Sequence, residues 1–431
     1  MEIRSGNLLL RNGHLIEPAS GKDAIVDVLI VDGVIETVGA VKRTPSSVHA
    51  VDLKERVIAP GFLDMHVHLR EPGYEYKETI ASGCAAAAAG GFTAVCCMPN
   101  TSPAIDSESV VREIQKKAKV AHSGLVDVYP VAAITKGREG KELAPMAELV
   151  DAGAVAFSDD GSPVESAELM RRAMEYASMY DAVISQHTEE RTMTRGGAMN
   201  ESAVSTALGL PPIPRVAEEL MLARDLLLVE YVGGRYHAQH VSTSGSMDQI
   251  RNAKRKKLQV SCEVTPHHFT LTDEEVLSLD TNTKMYPPLR TRNDVESLKE
   301  GLRDGTVDVI ATDHAPHSFD EKEVEYELAP FGVIGLETAF GLAISELVER
   351  NVLTLTQVIE KFSVNPRRIL NFPSLKVEEG EHANLTIVDP NAEWQVDIEA
   401  FKSRARNSPF HGKRLRGKAI GIVSNGLWYL A

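Results

Sequence analysis

The sequence predicts an α/β protein: a (β/α)8 barrel over residues 59–375, flanked by a small β-sandwich domain made from residues 1–58 and 376–431. Three observations predict it. Both ends carry short apolar segments punctuated by Asn-Gly and Asp-Gly. The middle alternates short apolar runs with longer stretches of helical spacing, the signal of βα units and a parallel sheet. Most of those runs end in, or just before, a polar residue able to do chemistry, as the strands of such a barrel do at one mouth.

Composition narrows the function classes. The chain has 431 residues, 43% hydrophobic and 25% charged, in the range of ordinary globular proteins rather than disordered ones. Its 46 Lys+Arg against 61 Asp+Glu give a net charge of −15, which argues against a nucleic-acid surface or an anionic-membrane patch. The basic cluster Lys254-Arg255-Lys256-Lys257 reads as a solvated helix face. The four cysteines, Cys84, Cys96, Cys97 and Cys262, have no zinc-ligand spacing and read as small buried hydrophobes in a reducing compartment. No stretch reaches the ~18 apolar residues of a membrane span. Met1-Glu2-Ile3-Arg4-Ser5 lacks the order of a signal peptide, so a cytoplasmic location is expected.

In chain order, Leu8-Leu9-Leu10 leads through Asn12-Gly13 to Leu15-Ile16, and Val28-Leu29-Ile30-Val31 through Asp32-Gly33 to Val34-Ile35. Asn-Gly and Asp-Gly between apolar segments are strong hairpin signals, because both central positions need positive φ. The far end repeats the texture: Asn384 to Val388 stops at Asp389-Pro390, and Ile420-Gly421-Ile422-Val423 turns at Asn425-Gly426 into Leu427-Trp428-Tyr429-Leu430. Between them lie eight apolar runs, at 62–68, 93–98, 126–134, 154–157, 182–185, 236–241, 259–264 and 307–311. Helical candidates, such as 165–179 and 217–232, separate most of them.

The polar residues fall at seven of the eight run ends: His66 and His68, Asn100, Asp159-Asp160, His187, His240, His267-His268, and Asp313-His314. On a strand, residues two apart share a face with Cβ atoms about 6–7 Å apart. His66 and His68 can therefore converge on one ion, and His187, His240 and Asp313 at other strand ends extend the set. Nitrogen and oxygen donors without thiolate suit Zn²⁺ and leave Mn²⁺, Co²⁺ or Fe²⁺ open. His14, His49, His122, His237, His382 and His411 read as surface or satisfied core residues. His267-His268 reads as structural or as supporting the ligands, and His314 as shaping the turn after Asp313.

Several segments together resemble the amidohydrolase superfamily and, within it, the class I dihydroorotases. They include His66-Val67-His68-Leu69-Arg70-Glu71-Pro72-Gly73, Met98-Pro99-Asn100-Thr101, Phe157-Ser158-Asp159-Asp160-Gly161, Ala311-Thr312-Asp313-His314-Ala315-Pro316-His317 and Ala329-Pro330-Phe331-Gly332. The resemblance covers essentially the whole chain. It implies a reversible, metal-dependent closure of N-carbamoyl-L-aspartate to dihydroorotate, the third step of pyrimidine synthesis. It implies one or two zinc ions, two being expected: His66 and His68 on one, His187 and His240 on the other. Asp160, preferred to Asp159 for its place before Gly161, stands where many relatives carry a bridging carboxylated lysine. Asp313 is implied as a metal contact and general base. His68, Arg70, Asn100, Tyr286, His317, Phe331 and Gly332 are implied as the substrate-binding set.

Elementary chemistry agrees. Amide hydrolysis near neutral pH needs an activated water, which bound metal supplies, and a carboxylate to carry the proton. Arg70 offers a planar fork to a substrate carboxylate. One position departs: relatives usually have Asn in Lys-Met-Asn-Pro-Pro, where this chain has Lys284-Met285-Tyr286-Pro287-Pro288. That keeps a related cyclic-amide hydrolase (allantoinase, hydantoinase or dihydropyrimidinase) as the alternative, although Arg70 weighs against the last two. A non-catalytic scaffold for aspartate transcarbamoylase is the other alternative, against which every ligand position being filled argues. A homodimer and association with aspartate transcarbamoylase are the protein partners the resemblance implies.

Overall fold

The computed structural model describes residues 2–42 and 48–431; Met1, part of the leader reading, and 43–47, part of the expected N-terminal strand segment, lie outside the described residues. Each of the eight apolar runs overlaps a strand: β1 (Phe62–Val67), β2 (Phe92–Cys97), β3 (Asp127–Ala132), β4 (Ala156–Phe157), β5 (Val183–Gln186), β6 (Arg235–Ala238), β7 (Val260–Val264) and β8 (Val309–Ile310). They form one parallel sheet in sequential order. Helices such as Ala167–Ser178 and Val216–Val232 fall between strands, as their spacing predicts. The sheet nearly closes on itself: Val67 pairs in parallel with His314, His68 N donates to His314 O at 2.8 Å, and Thr312 N to the Asp64 carboxylate at 3.2 Å.

Alternation along the strands separates an interior from an outer layer. Leu63, Met65, Ala94, Cys96, Met98, Val131, Ala156 and Val309 pack together inside. Phe62, Val67, Phe92, Val95, Cys97, Phe157 and Ile310 pack outward with the helices. Adjacent Cys96 and Cys97 thus face opposite layers, and all four cysteines are free and buried. The register of β1 against β2 shifts between Asp64 and Val67. Such a shift changes parity: Met65 still packs inside, while Val67 packs outside and its neighbours His66 and His68 meet at the mouth.

The two ends of the chain build one continuous nine-stranded sheet. Its joint is Val57–Pro60, antiparallel to the start of Leu385–Gln395. Leu8, Leu10, Leu15, Val28, Ile30, Ile58, Leu385, Ile387 and Trp428 form its core. Asp32-Gly33 and Asn425-Gly426 make the expected hairpins, each residue with positive φ. Asn12-Gly13 differs. It lies inside the single strand Leu8–Glu17 as a bulge, with Asn12 at φ 51°, and a Cβ on Gly13 would clash with Ile58 Cδ1. Asp389-Pro390 likewise does not end its strand, which runs to Gln395 across a register shift. One left-handed or proline residue is absorbed by a bulge where partners continue on both sides.

The basic cluster ends helix Ser244–Arg255, where Lys254 pairs with Asp308 at 2.6 Å and Lys256 with Glu230 at 2.7 Å. No helix among the described residues is long and apolar enough to cross a membrane.

Candidate metal centre

At the C-terminal ends of the barrel strands, four imidazoles and two carboxylates converge, all buried. Ligand atoms of His66, His68 and Asp160 lie within 4.8 Å of one another, as do those of Asp160, His187 and His240, so Asp160 is common to both groups. Asp160 Oδ1 is 3.5 Å from His66 Nε2, 3.6 Å from His240 Nε2 and 3.9 Å from His187 Nδ1; Oδ2 is 3.6 Å from His68 Nε2. Asp313 Oδ1 lies 2.9 Å from His68 Nε2 and 3.5 Å from His66 Nε2. Arg70, His240 and Asp313 hold φ of 61°, 29° and 46°, left-handed values that cost non-glycine residues energy and concentrate at functional sites.

The outer nitrogen of each of three rings has an acceptor. His66 Nδ1 donates to Glu263 Oε1 at 2.6 Å, His68 Nδ1 to Asn100 Oδ1 at 2.8 Å, and His187 Nε2 to Glu189 Oε2 at 3.2 Å. Those bonds fix the tautomer, so each inner nitrogen presents a lone pair to the carboxylates. Lone pair against carboxylate at 2.9 Å, as for His68 and Asp313, is repulsive unless a cation lies between. Among the described residues, His66 Nε2 is buried without a hydrogen-bond partner. The donor set therefore fits a divalent metal. Where protons rather than a metal sit on the inner nitrogens, burial still opposes charge on Asp160 and Asp313, but His66, His68 and His240 outweigh it and hold both carboxyls well below the usual range.

Asp159 points elsewhere. Its carboxylate accepts from Ile134 N at 2.8 Å, Thr135 N at 3.1 Å and the Thr135 hydroxyl, and burial pushes its pKa up to about 6.

A cleft of about 700 Å³ opens over the centre and is lined by every predicted site residue except His66, which lies beneath. Arg70 Nε donates to Pro316 O at 3.1 Å, and among the described residues its two terminal nitrogens have no protein acceptor. The Asn100 amide is spanned between His68 and Asp160 Oδ2, at 3.2 Å from the latter. The Tyr286 ring stacks on His187 (centroids 5.4 Å, 7° between planes) and its hydroxyl donates to Glu189 Oε1. His317 Nε2 donates to Phe331 O at 2.8 Å while Nδ1 accepts from Lys77 at 3.3 Å. Burial, with Arg70 and Lys77 nearby, pushes the His317 pKa down to about 2. Gly332 has φ 145°, and a Cβ there would sit 2.8 Å from Ala315 O.

Of the remaining motif histidines, His267 keeps a buried Nε2 without a hydrogen-bond partner among the described residues, whereas His268 and His314 are bonded structurally. His268 is held between Thr265 Oγ1 (2.7 Å) and Pro287 O (2.9 Å), and His314 Nδ1 accepts from Gly335 N at 3.2 Å. His237 is a satisfied core residue, between Ser261 Oγ and Glu263 Oε2.

Sequence reasoning missed Glu263, Glu189 and Asp64. Glu263 accepts from His66, His237 and His240 N, and Asp64 bridges β1 and β8. The available signal was a carboxylate inside an otherwise apolar run, which burial permits only with partners, and for Glu189 the same two-residue spacing from His187 that links His66 to His68.

Comparison with known proteins follows the same lines. A family model described as dihydro-orotase-like matches residues 55–246. A dihydroorotase from Pelotomaculum thermopropionicum is 52% identical over 419 residues, covering 97% of each chain. The chain belongs to the dihydroorotase family. A dihydroorotase from Syntrophus aciditrophicus is 49% identical over 97% of this chain and 98% of its own. Among solved structures, an L-hydantoinase from Arthrobacter aurescens superposes with TM-score 0.83 at 24% identity, covering 98% of this chain and 96% of that one. A dihydropyrimidinase from Brevibacillus agri gives 0.84 at 20% identity over 98% and 95%. At that identity the likeness is one of fold, whereas the likeness to dihydroorotases is one of sequence, about half identical over 97% of the chain.

Proposed function

We propose that this chain is a dihydroorotase that interconverts N-carbamoyl-L-aspartate and dihydroorotate plus water, with zinc as its metal. The observation that carries this reading is the convergence of His66, His68, Asp160, His187, His240 and Asp313 beneath one cleft, beside the free fork of Arg70, in a chain about half identical to dihydroorotases. The hydantoinase and dihydropyrimidinase alternative rests on Tyr286, where relatives usually have Asn, and on a likeness of fold. A scaffold role fits poorly with a complete donor set.

In this reading His66, His68 and Asp313 hold one cation, His187 and His240 a second, and Asp160 lies between. When bound, the metal supplies Lewis acidity that lowers the pKa of water toward neutrality and polarises the scissile carbonyl. Asp313 faces the cleft at the end of β8 and moves the proton. In hydrolysis it takes the proton of the attacking water as the C–O bond forms, and gives it to the ring nitrogen as the C–N bond breaks. In ring closure the same carboxylate takes the proton from the attacking carbamoyl nitrogen and returns it to the departing oxygen. Arg70 binds the substrate carboxylate through its terminal nitrogens. Asn100 orients His68 and Asp160 and presents its edge to the substrate. Tyr286, His317, Phe331 and Gly332 complete the wall.

Residues 1–58 and 376–431 act as one β unit and 59–375 as the catalytic barrel. Four free, buried cysteines favour a reducing cytoplasm. An exposed apolar row on helix Val216–Val232, formed by Val216, Leu220, Leu227 and Tyr231, supports a homodimer. Association with aspartate transcarbamoylase is compatible with an active enzyme and is tested by co-purification. The decisive experiment compares kcat/KM for dihydroorotate, allantoin and dihydrouracil, with metal analysis of the same sample. Turnover of dihydroorotate well above the others is expected; preference for either of the others overturns the reading.

A further inference from the structure

We infer that Asn407, far outside the barrel in sequence, is a positioning residue for the two loops that carry His317 and Phe331-Gly332 into the cleft. It rests on the reading of this cleft as the substrate site. Asn407 is buried, and its side-chain amide spans both loops. Oδ1 accepts from His317 N at 3.1 Å, while Nδ2 donates to Ala315 O and to Gly332 O, each at 3.0 Å. Its own carbonyl accepts from Ile334 N at 3.0 Å. One planar group therefore fixes the spacing between the segment that follows Asp313 and the segment that lines the opposite wall.

The loops also bond directly, His317 Nε2 to Phe331 O at 2.8 Å, Ala315 N to Val333 O at 2.9 Å, Gly335 N to His314 Nδ1 at 3.2 Å and Lys322 Nζ to Pro330 O at 2.8 Å, but none of these ties His317 N or Ala315 O to Gly332. The residue is also anchored from behind. Lys402 N and Ser403 N donate to Glu337, Arg404 N and Ser403 Oγ to Glu78, and Glu78 in turn lies 3.4 Å from His314 Nε2. The latch is thus braced against the residue next to Asp313. Only a primary amide supplies one acceptor and two donors in that plane. A carboxylate of the same shape would keep the bond from His317 N and set its second oxygen against two carbonyls.

The test uses the full chain as Asn407→Asp, with Asn407→Ser as a second variant. Metal content, melting temperature, kcat and KM for dihydroorotate, and amide hydrogen exchange are measured for each. Expected are unchanged metal content and a fall in kcat/KM of about 10–100-fold, the scale of misplacing bound groups by about an ångström. KM should carry the larger part. Amides 315–317 and 331–334 should exchange faster, with the strands bearing His66, His187 and His240 unchanged. Kinetics within twofold of wild type, or exchange unaltered in those two loops, overturns the proposal. A lower melting temperature with normal kcat and KM assigns Asn407 a merely structural role and also overturns it. If the wild-type chain fails to turn over dihydroorotate, the proposed function falls, while the exchange data still judge the latch.

Discussion

Replacing Glu263 by glutamine should loosen the metal without unfolding the protein. The carboxylate is fully enclosed and accepts three hydrogen bonds: from His66 Nδ1 at 2.6 Å, His240 N at 3.2 Å and His237 Nε2 at 3.1 Å. Burial pushes its pKa up, but His66 and His237 outweigh that and hold it at about 2, so it is ionised at neutral pH. Glutamine Oε1 can keep the two bonds made by Oε1. Its Nε2 can donate to His237 if that ring moves its proton to Nδ1, facing Ser261 Oγ 2.8 Å away. Geometry survives and charge does not. A charge-assisted bond is worth about 1.5–3 kcal/mol against about 1 for a neutral one. The loss of about 1–2 kcal/mol corresponds to about 5–30-fold in metal affinity, near the range seen for groups that orient metal-binding histidines. Glu263→Ala instead strands three buried donors at about 1–3 kcal/mol each, a large part of a typical total stability of about 5–15 kcal/mol. Competition with a chromophoric chelator measures the first effect and thermal melting of the metal-free chain the second. Wild-type affinity in the glutamine variant would refute the claim that Glu263 sets the basicity and direction of His66.

Arg70→Met should raise KM for dihydroorotate by about 10–100-fold, the loss of a bidentate charge-assisted pair, with kcat less affected; unchanged steady-state kinetics would remove that contact. Asp160→Asn should lower the bound-metal stoichiometry, whereas Asp159→Asn should leave stoichiometry intact and lower the melting temperature, as elemental analysis and calorimetry would read. Tyr286→Phe keeps the ring on His187 and deletes the bond to Glu189; a fall of about 2–10-fold in affinity at the Asp160, His187 and His240 site is expected by titration, from one lost hydrogen bond of about 1 kcal/mol. Burial pushes the Glu337 pKa up to about 7, above its unfolded value of 4.5. The folded chain therefore keeps a proton that the unfolded chain gives up, and stability drains away as pH climbs through that window. Glutamine can accept from Lys402 N and Ser403 N as Glu337 Oε1 does. The melting-temperature gap between Glu337→Gln and wild type should widen from pH 5 to pH 8; a constant gap would contradict this.

The barrel was legible because eight apolar runs and the polar residues at their ends repeat one signal, and the structure puts a strand at each run. The convergence of these histidines and aspartates was legible because such residues have few reasons to recur at strand ends. What escaped lies off that pattern. Glu263 and Asp64 sit among apolar neighbours and declare themselves only through partners on other strands. Asn100 reads as a substrate donor, and that its amide also braces His68 and Asp160 shows only in the folded chain. Asn12-Gly13 satisfies every local rule for a turn, and only the pairing of Leu8–Glu17 with Lys22–Val31 on both sides of it makes it a bulge.

The sheet shared by the two chain ends has a consequence for synthesis. Strand Val57–Pro60 pairs with residues 385–388, and Phe62 N bonds Thr386 Oγ1 across 324 residues. At roughly 5–20 residues per second that interval lasts about 16–65 s on a ribosome. Throughout it one edge of Val57–Pro60 stands open, an apolar template for any passing strand. The partner arrives only when the barrel is already made, so a cell deprived of chaperones should lose this protein to aggregation before release rather than after.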